Sequence, residues 1–226
     1  MAIVGPNDWV ARAISDRGIT RLCHFTSLTA LERIITDRAL LDRQTLEDGD
    51  EVVDFNDPFR HDGHRHHVCL TVQHPNVIMM DRLSANEHSQ REFVVVCVRP
   101  SEMAREGVLF ARLNAATNSG GLLAAGEDGF NQLYIQQPGP RPIYRSTAHA
   151  PSCPTDIQAE VLIPGPIPLS SALCIVTIST EIAGFVRRVL SSAGVELPVV
   201  AQPRFFDYSD ITSAVWSGNV IELPGI

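Results

Sequence analysis

Apolar positions divide the chain into short, well-separated elements. Behind Asn7, a residue suited to capping a helix, Val10, Ala13 and Ile14 recur at helical spacing, and Gly18 follows as a stop. Residues 19–25 alternate as a strand does. Ser27, or Thr29 with Glu32 three residues on, then opens a second helix with Leu28, Leu31, Ile34 and Ile35 on its inner face. His24, Phe25 and Thr26 therefore fall at a strand-to-helix junction. Residues 68–72, 93–98 and 108–111 read as further strands, the second apolar throughout and so expected to be buried on both faces. Residues 77–83 suit a short helix. Residues 159–163 and 173–178 read as paired strands joined by a proline-rich turn, and Ile182, Phe185, Val186, Val189 and Leu190 mark an amphipathic helix ended by Gly194. A strand is expected near Val199, while the last twenty or so residues carry no decisive pattern.

Two stretches break this rhythm. Residues 40–67 are polar and aperiodic, and residues 114–154 are rich in Gly, Asn, Ser, Gln and Pro, with a short helix expected only near residues 130–135. Irregular segments of that length inside a compact domain are usually functional. The strands lack regular intervening helices, and there is neither a G-x-G-x-x-G nor a Walker sequence. Both facts argue against a doubly wound parallel sheet and for an α+β fold with antiparallel sheets. One domain over residues 1–226 is expected, with its core at about residues 19–202 and a tail from 203 to 226.

Composition narrows the function. A hydrophobic content of 44% supports a real core, and no apolar run approaches the roughly 20 residues that cross a bilayer. No membrane association is expected. The first residues lack the pattern of a secretory leader, which makes the cytoplasm the expected location. The net charge is −8 and all 18 basic residues are arginines. That counts against a broad nucleic-acid surface and leaves room for a narrow arginine-lined groove. Cys23, Cys69, Cys97, Cys153 and Cys174 are widely spaced and form no C-x-x-C pair, as befits reduced core thiols. His61, His64, His66, His67 and His74 cluster, yet without H-E-x-x-H or a C-x-x-C pair beside them, so no metal site is expected. No G-x-S-x-G elbow marks a hydrolase.

Three segments carry more specific information. The first is Cys23-His24-Phe25-Thr26. The second is Asn56-Asp57-Pro58-Phe59-Arg60-His61-Asp62-Gly63-His64, followed by the strand Val68-Cys69-Leu70-Thr71-Val72 and the turn His74-Pro75-Asn76. The third is Asp156-Ile157-Gln158-Ala159-Glu160-Val161-Leu162-Ile163-Pro164. Together and in this order they resemble the DarT family of ADP-ribosyltransferases, bacterial enzymes, typically toxins of toxin–antitoxin pairs, that modify bases in single-stranded DNA. The likeness runs from about residue 19 to 178.

The resemblance implies an ADP-ribosyltransferase-like fold, two antiparallel sheets around a central NAD cleft with flanking helices. It implies NAD⁺ as co-substrate, no metal, and single-stranded DNA or another nucleobase acceptor as partner, with a macrodomain-type antitoxin as a further partner. Carried over by position, it assigns His24, Phe25 and Thr26 to the cofactor, His24 and Thr26 lying against the nicotinamide and its ribose. It sets Arg60 over the pyrophosphate and reacting centre, Asn76 in the cleft, and Glu160 as the catalytic glutamate. Phe130, Tyr134, Arg141, Tyr144 and Arg145, in the irregular stretch before Glu160, are candidates for gripping the acceptor.

Each residue has a structural alternative. Alternation along its strand would put Glu160 on the solvent face, His24 suits a satisfied core histidine, and Thr26 a helix cap. Arg60 suits a loop charge beside Asp57 or Asp62, and Asn76 a turn residue after Pro75. At the level of the whole chain, an ADP-ribosyltransferase acting on RNA, a free nucleotide, a small molecule or a protein stays open. So does a non-catalytic nucleotide-binding module.

Overall fold

A computed structural model describes residues 8–49, 61–85, 92–137 and 142–225. Helix α1 (Asp8–Arg17) leads to β1 (Leu22–Ser27) and α2 (Leu28–Asp37), then to β2 (Ala39–Leu40) and α3 (Arg43–Glu47). Next come β3 (His67–Val72), α4 (Val77–Ser84), β4 (Phe93–Val98), β5 (Leu109–Ala111), β6 (Leu123–Ala125) and α5 (Gly126–Gln132). The last part holds β7 (Glu160–Pro164), β8 (Ile167–Pro168), β9 (Ala172–Thr177), α6 (Thr180–Ser192), β10 (Val199–Ala201) and α7 (Tyr208–Trp216). Ser27 is the cap of α2, its hydroxyl accepting the Ala30 N–H at 3.2 Å. Thr29 instead pairs its hydroxyl with that of Ser27.

The α+β class holds, but the sheets differ from expectation. Strands run in one eight-stranded sheet, ordered β10-β9-β4-β1-β3-β7-β5-β6, and a second sheet contains only β2 and β8. The pairs are antiparallel except β9 with β10, which are parallel. The expected pairing of residues 159–163 with 173–178 does not occur. β7 lies between β3 and β5, and β9 between β4 and β10. The proline-rich connection is no tight turn: its β8 pairs with β2, which carries the chain away from β7 before β9 begins.

Alternating side chains supply two cores. Leu22, Val94, Val96, Val98 and Ile175 face one way, against Trp9, Leu31, Ile35, Val186 and Leu190 of the helices α1, α2 and α6. Cys23, Val95, Cys97, Cys174 and Val176 face the other way, against Met80 of α4 and Ile211 and Val215 of α7. All six residues of β4 are buried, as its unbroken apolar run predicts. The five cysteines are free thiols, four of them buried. Phe205, Ile211, Ile221 and Leu223 complete the second core, so the described residues beyond 202 are part of the fold. Among the described residues no helix is long and apolar enough to cross a membrane.

The strands β1 and β3 pair over only two positions, Leu22 with Val72 and Cys23 with Thr71. Beyond them β1 continues against β4, and β3 against β7. The sheet thus parts in its middle. At the closed end sits Gln73, buried in the left-handed region at φ 68°. Its side-chain oxygen accepts from the Thr20 hydroxyl and from the backbone N–H groups of Thr20 and Arg21, and its amide donates to Gly18 O and Ser152 Oγ. The Arg21 guanidinium donates to Gln73 O at 2.8 Å and to Ile221 O at 2.7 Å. His74 accepts the Ile221 N–H through Nε2 at 3.0 Å. One buried polar group of residues therefore ties α1, the β3–α4 turn, the segment before β7 and the C-terminal segment together.

Replacing Gln73 by Leu strands several buried donors, and a loss of about 3 kcal/mol is expected in urea unfolding. A change below about 1 kcal/mol would show that the polar group contributes little. Burial, with the Arg21 charge second, holds the His74 pKa down to about 3, against 6.5 when exposed. The folded state therefore favours neutral His74. Its contribution is complete above pH 6.5 and is lost as pH falls from there toward 3, at a slope of up to ~1.4 kcal/mol per pH unit. The stability advantage of the native chain over His74→Gln should shrink across that window. An advantage independent of pH would contradict the assignment.

Candidate active site

Where β1 and β3 part, a cleft of about 640 Å³ opens. That lies within the roughly 300–1,000 Å³ typical of small-molecule sites. His24, Phe25 and Thr26 line it from β1, and Val68 to Thr71 from β3. A backbone ladder would continue across the gap; in its place His24 Nδ1 bonds to Cys69 O at 2.9 Å. The imidazole satisfies a carbonyl that the diverging strands expose. Phe25 meets Phe93 edge to face at 5.6 Å between centroids, and Thr26 is buried.

Asn76 reaches the cleft from the first turn of α4. Its side-chain oxygen caps that helix, accepting the Met79 N–H at 3.1 Å. The turn before it is held by Thr71, whose hydroxyl donates to His74 O. The Asn76 Nδ2 is buried on the cleft wall and has no hydrogen-bond partner among the described residues. A buried donor in that state costs free energy unless a ligand engages it.

Glu160 opens β7, opposite Ala111 of β5, and is half-buried at the cleft. Its carboxylate accepts the Ala115 N–H at 2.8 Å and the Asn114 side-chain amide at 3.3 Å. Asn114 also accepts the Ala116 N–H at 3.1 Å. The turn after β5 thus orients the carboxylate, and the plain solvent-facing alternative does not describe it. Sequence reasoning missed Asn114. It stood at the head of an irregular stretch, and nothing local linked it to a glutamate 46 positions later.

Basic groups converge here too. Arg33 of α2, Arg43 of α3 and Arg82 of α4 line the cleft, alongside the carboxylates of Asp37, Asp62 and Glu160. Arg33 pairs with Asp37 at 3.2 Å, and Arg43 with Glu47. None of the three was singled out in the sequence, because none belongs to the three strings that carry the family resemblance. His61 and Asp62 line the same cleft. The Asp62 backbone lies so close to Gly120 that a Cβ there would come within 2.6 Å of Asp62 O. Arg60, the expected pyrophosphate ligand, and Arg141 lie outside the described residues. Among those described, no group of three or more His, Cys, Asp or Glu side chains is arranged to hold a metal ion.

The sequence model described as ssDNA thymidine ADP-ribosyltransferase, DarT, matches residues 23–207. The chain belongs to the DarT family. No curated protein sequence matches it. Solved structures of similar fold include DarT of Thermus sp. 2.9 in complex with ADP-ribosylated ssDNA, at TM-score 0.62 and 13% identity over 84% of this chain and 97% of that one. The same protein in complex with NAD⁺ gives TM-score 0.57 and 14% identity over 83% and 98%. DarTG of Thermosipho africanus in complex with ADP-ribose gives TM-score 0.58 and 16% identity over 83% of this chain. This chain spans about half of that one, 51%.

Within this DarT fold, some expected acceptor contacts are core residues. Phe130 is 1% exposed and Tyr134 6%, packed with Trp9 and Phe110. The Arg17 guanidinium covers the Tyr134 ring at 3.6 Å. Neither ring offers a face to a ligand, because the apolar side of α5 closes the first core. Arg145 is engaged in the loop itself, donating to Cys153 O at 2.8 Å and Ala150 O at 3.0 Å. Tyr144 is the exposed residue among the described members of that set.

Asn76→Ser keeps a cap oxygen at the helix N-terminus and removes the Nδ2 donor without burying a charge. Unfolding free energy should stay within about 1 kcal/mol while NAD⁺ affinity, read by calorimetry, falls at least ~tenfold. Unchanged affinity would remove Asn76 from the binding site.

Proposed function

We propose that this chain transfers the ADP-ribosyl group of NAD⁺ to a thymidine base in single-stranded DNA, with Glu160 as its catalytic carboxylate. The observation that carries this is one cleft: His24 and Thr26, Asn76 and Glu160, from three distant segments, line the same cavity. His24 and Thr26 bound the nicotinamide and its ribose, and Asn76 donates to the bound dinucleotide. The arginines Arg33 and Arg43 contribute positive charge toward the pyrophosphate, joined by Arg60 from the segment whose described neighbour His61 lines the cleft. Guanidinium suits this task because its planar fork engages phosphate oxygens in pairs.

In the reaction the bond from ribose C1′ to the nicotinamide nitrogen breaks, and its electron pair leaves with neutral nicotinamide. Positive charge develops on the ribose. Glu160, held by Ala115 N–H and Asn114, accepts from the 2′-hydroxyl and stabilises that charge more than the ground state. A ring nitrogen of the base then bonds to C1′, and its proton passes to Glu160. In single-stranded DNA the base is already unpaired, so presenting it costs little. A macrodomain-type antitoxin is the partner that the reading implies.

The test is incubation with labelled NAD⁺ and single-stranded oligonucleotides, followed by mass spectrometry for ADP-ribose on the strand. Glu160→Ala should lower transfer by at least ~10³-fold with an unchanged circular-dichroism spectrum and melting temperature. Substantial activity in that variant would remove the mechanism. Transfer to RNA, a free nucleotide, a small molecule or a protein, with none to DNA, would replace the acceptor. NAD⁺ binding with no nicotinamide released would leave a binding module.

A further inference from the structure

A second cavity, of about 470 Å³, lies beside the first. Tyr208, Thr212 and Trp216 form one wall, spaced four residues apart and hence on one stripe of α7. Tyr144 and Ile143, from the loop before Glu160, form another. Large exposed aromatics are rare in this chain: among the described residues they are Tyr144 at 68%, Trp216 at 62% and Tyr208 at 44%. All three line this one cavity.

We propose that this cavity receives an unpaired nucleobase of the acceptor strand, a neighbour of the base presented to Glu160. The inference rests on the DNA-acceptor reading above. Its first support is continuity. Gln158 and Ala159 wall the second cavity while Glu160, the next residue, lines the first. Two residues of extended chain span at most ~7 Å, the scale of one step along a stretched strand. The start of α4 is likewise shared, His74 and Ile78 lining the second cavity and Asn76 and Met79 the first.

The second support is chemistry. Among the described residues no arginine lines this cavity, while the buried carboxyl of Asp156 does. That composition rejects a phosphate and accepts a flat neutral ring. Stacking also answers a problem set by the composition. A chain of net charge −8 without lysine gains little non-specific attraction for a polyanion, so affinity for the strand has to come largely from base faces on aromatic rings.

The experiment couples a protein change to a strand change. Single abasic sites are placed in turn on either side of the target thymidine, and transfer kinetics are measured with the native chain, Trp216→Ala, Tyr208→Ala and Trp216→Tyr. Trp216→Ala should raise KM for the intact strand about tenfold, leaving kcat and the KM for NAD⁺ within about twofold, and Trp216→Tyr should recover most of the loss. For the native chain, an abasic site at one flanking position should cost a similar factor. In Trp216→Ala that abasic site should cost little more, because the two changes remove the same contact.

Losses that multiply independently overturn the proposal, as does an unchanged strand KM in both alanine variants, which would leave the cavity to a protein partner. A parallel rise in KM for NAD⁺ with a fall in melting temperature would show a structural role and overturn it equally. If the native chain labels no strand at all, the acceptor reading itself has failed, a result distinct from a labelled strand that ignores Trp216.

Discussion

The bond from His24 Nδ1 to Cys69 O is the constraint on which the site depends. A continuous ladder between β1 and β3 would close the cleft that opens between them. Parting the strands makes room, but it exposes backbone groups in the middle of a buried sheet, where an unpartnered carbonyl is costly. A side chain with a ring nitrogen at the right height resolves the conflict. His24 closes the gap for Cys69 O and forms part of the wall at the same time.

A cleft of this kind needs a firm hinge at its closed end. Gln73 and Arg21 supply it, using side chains where a regular strand would use backbone. The Gln73 backbone sits at φ 68°, unfavourable for a residue with a Cβ, and the five hydrogen bonds of its side chain hold it there. Through Ser152 and Ile221 the same group reaches the segment that leads to Glu160 and the end of the chain. Burial pushes the Cys153 thiol up to about 12, so it remains protonated beside the neutral His74.

The first cleft carries both signs of charge, Arg33, Arg43 and Arg82 lining it together with Asp37, Asp62 and Glu160. Aromatic surface is gathered in the adjoining cavity. A dinucleotide and a nucleobase make different demands, one for guanidinium forks and the other for flat apolar faces. The two cavities lie on either side of the start of β7, where Ala159 lines one and Glu160 the other.

Local pattern alone determined much of this. The alternation of β1, the apolar run of β4 and the 3.6-residue period of α6 are visible because each element is buried on a predictable face. That His24, Thr26, Asn76 and Glu160 share one cleft was legible because three short strings recur in a known family's order. Tertiary structure decided what no window of sequence contains. Glu160 owes its orientation to Asn114, and Tyr134 its burial to Arg17 and the first core. The strands β7 and β9 owe their separation to β8 and β2. Trp216 and Tyr144, 72 residues apart in the chain, became neighbours of one cavity only when α7 docked on the sheet. Short-range spacing records which face of an element is buried; which two faces meet depends on how the loops close, and that information is spread over the whole chain.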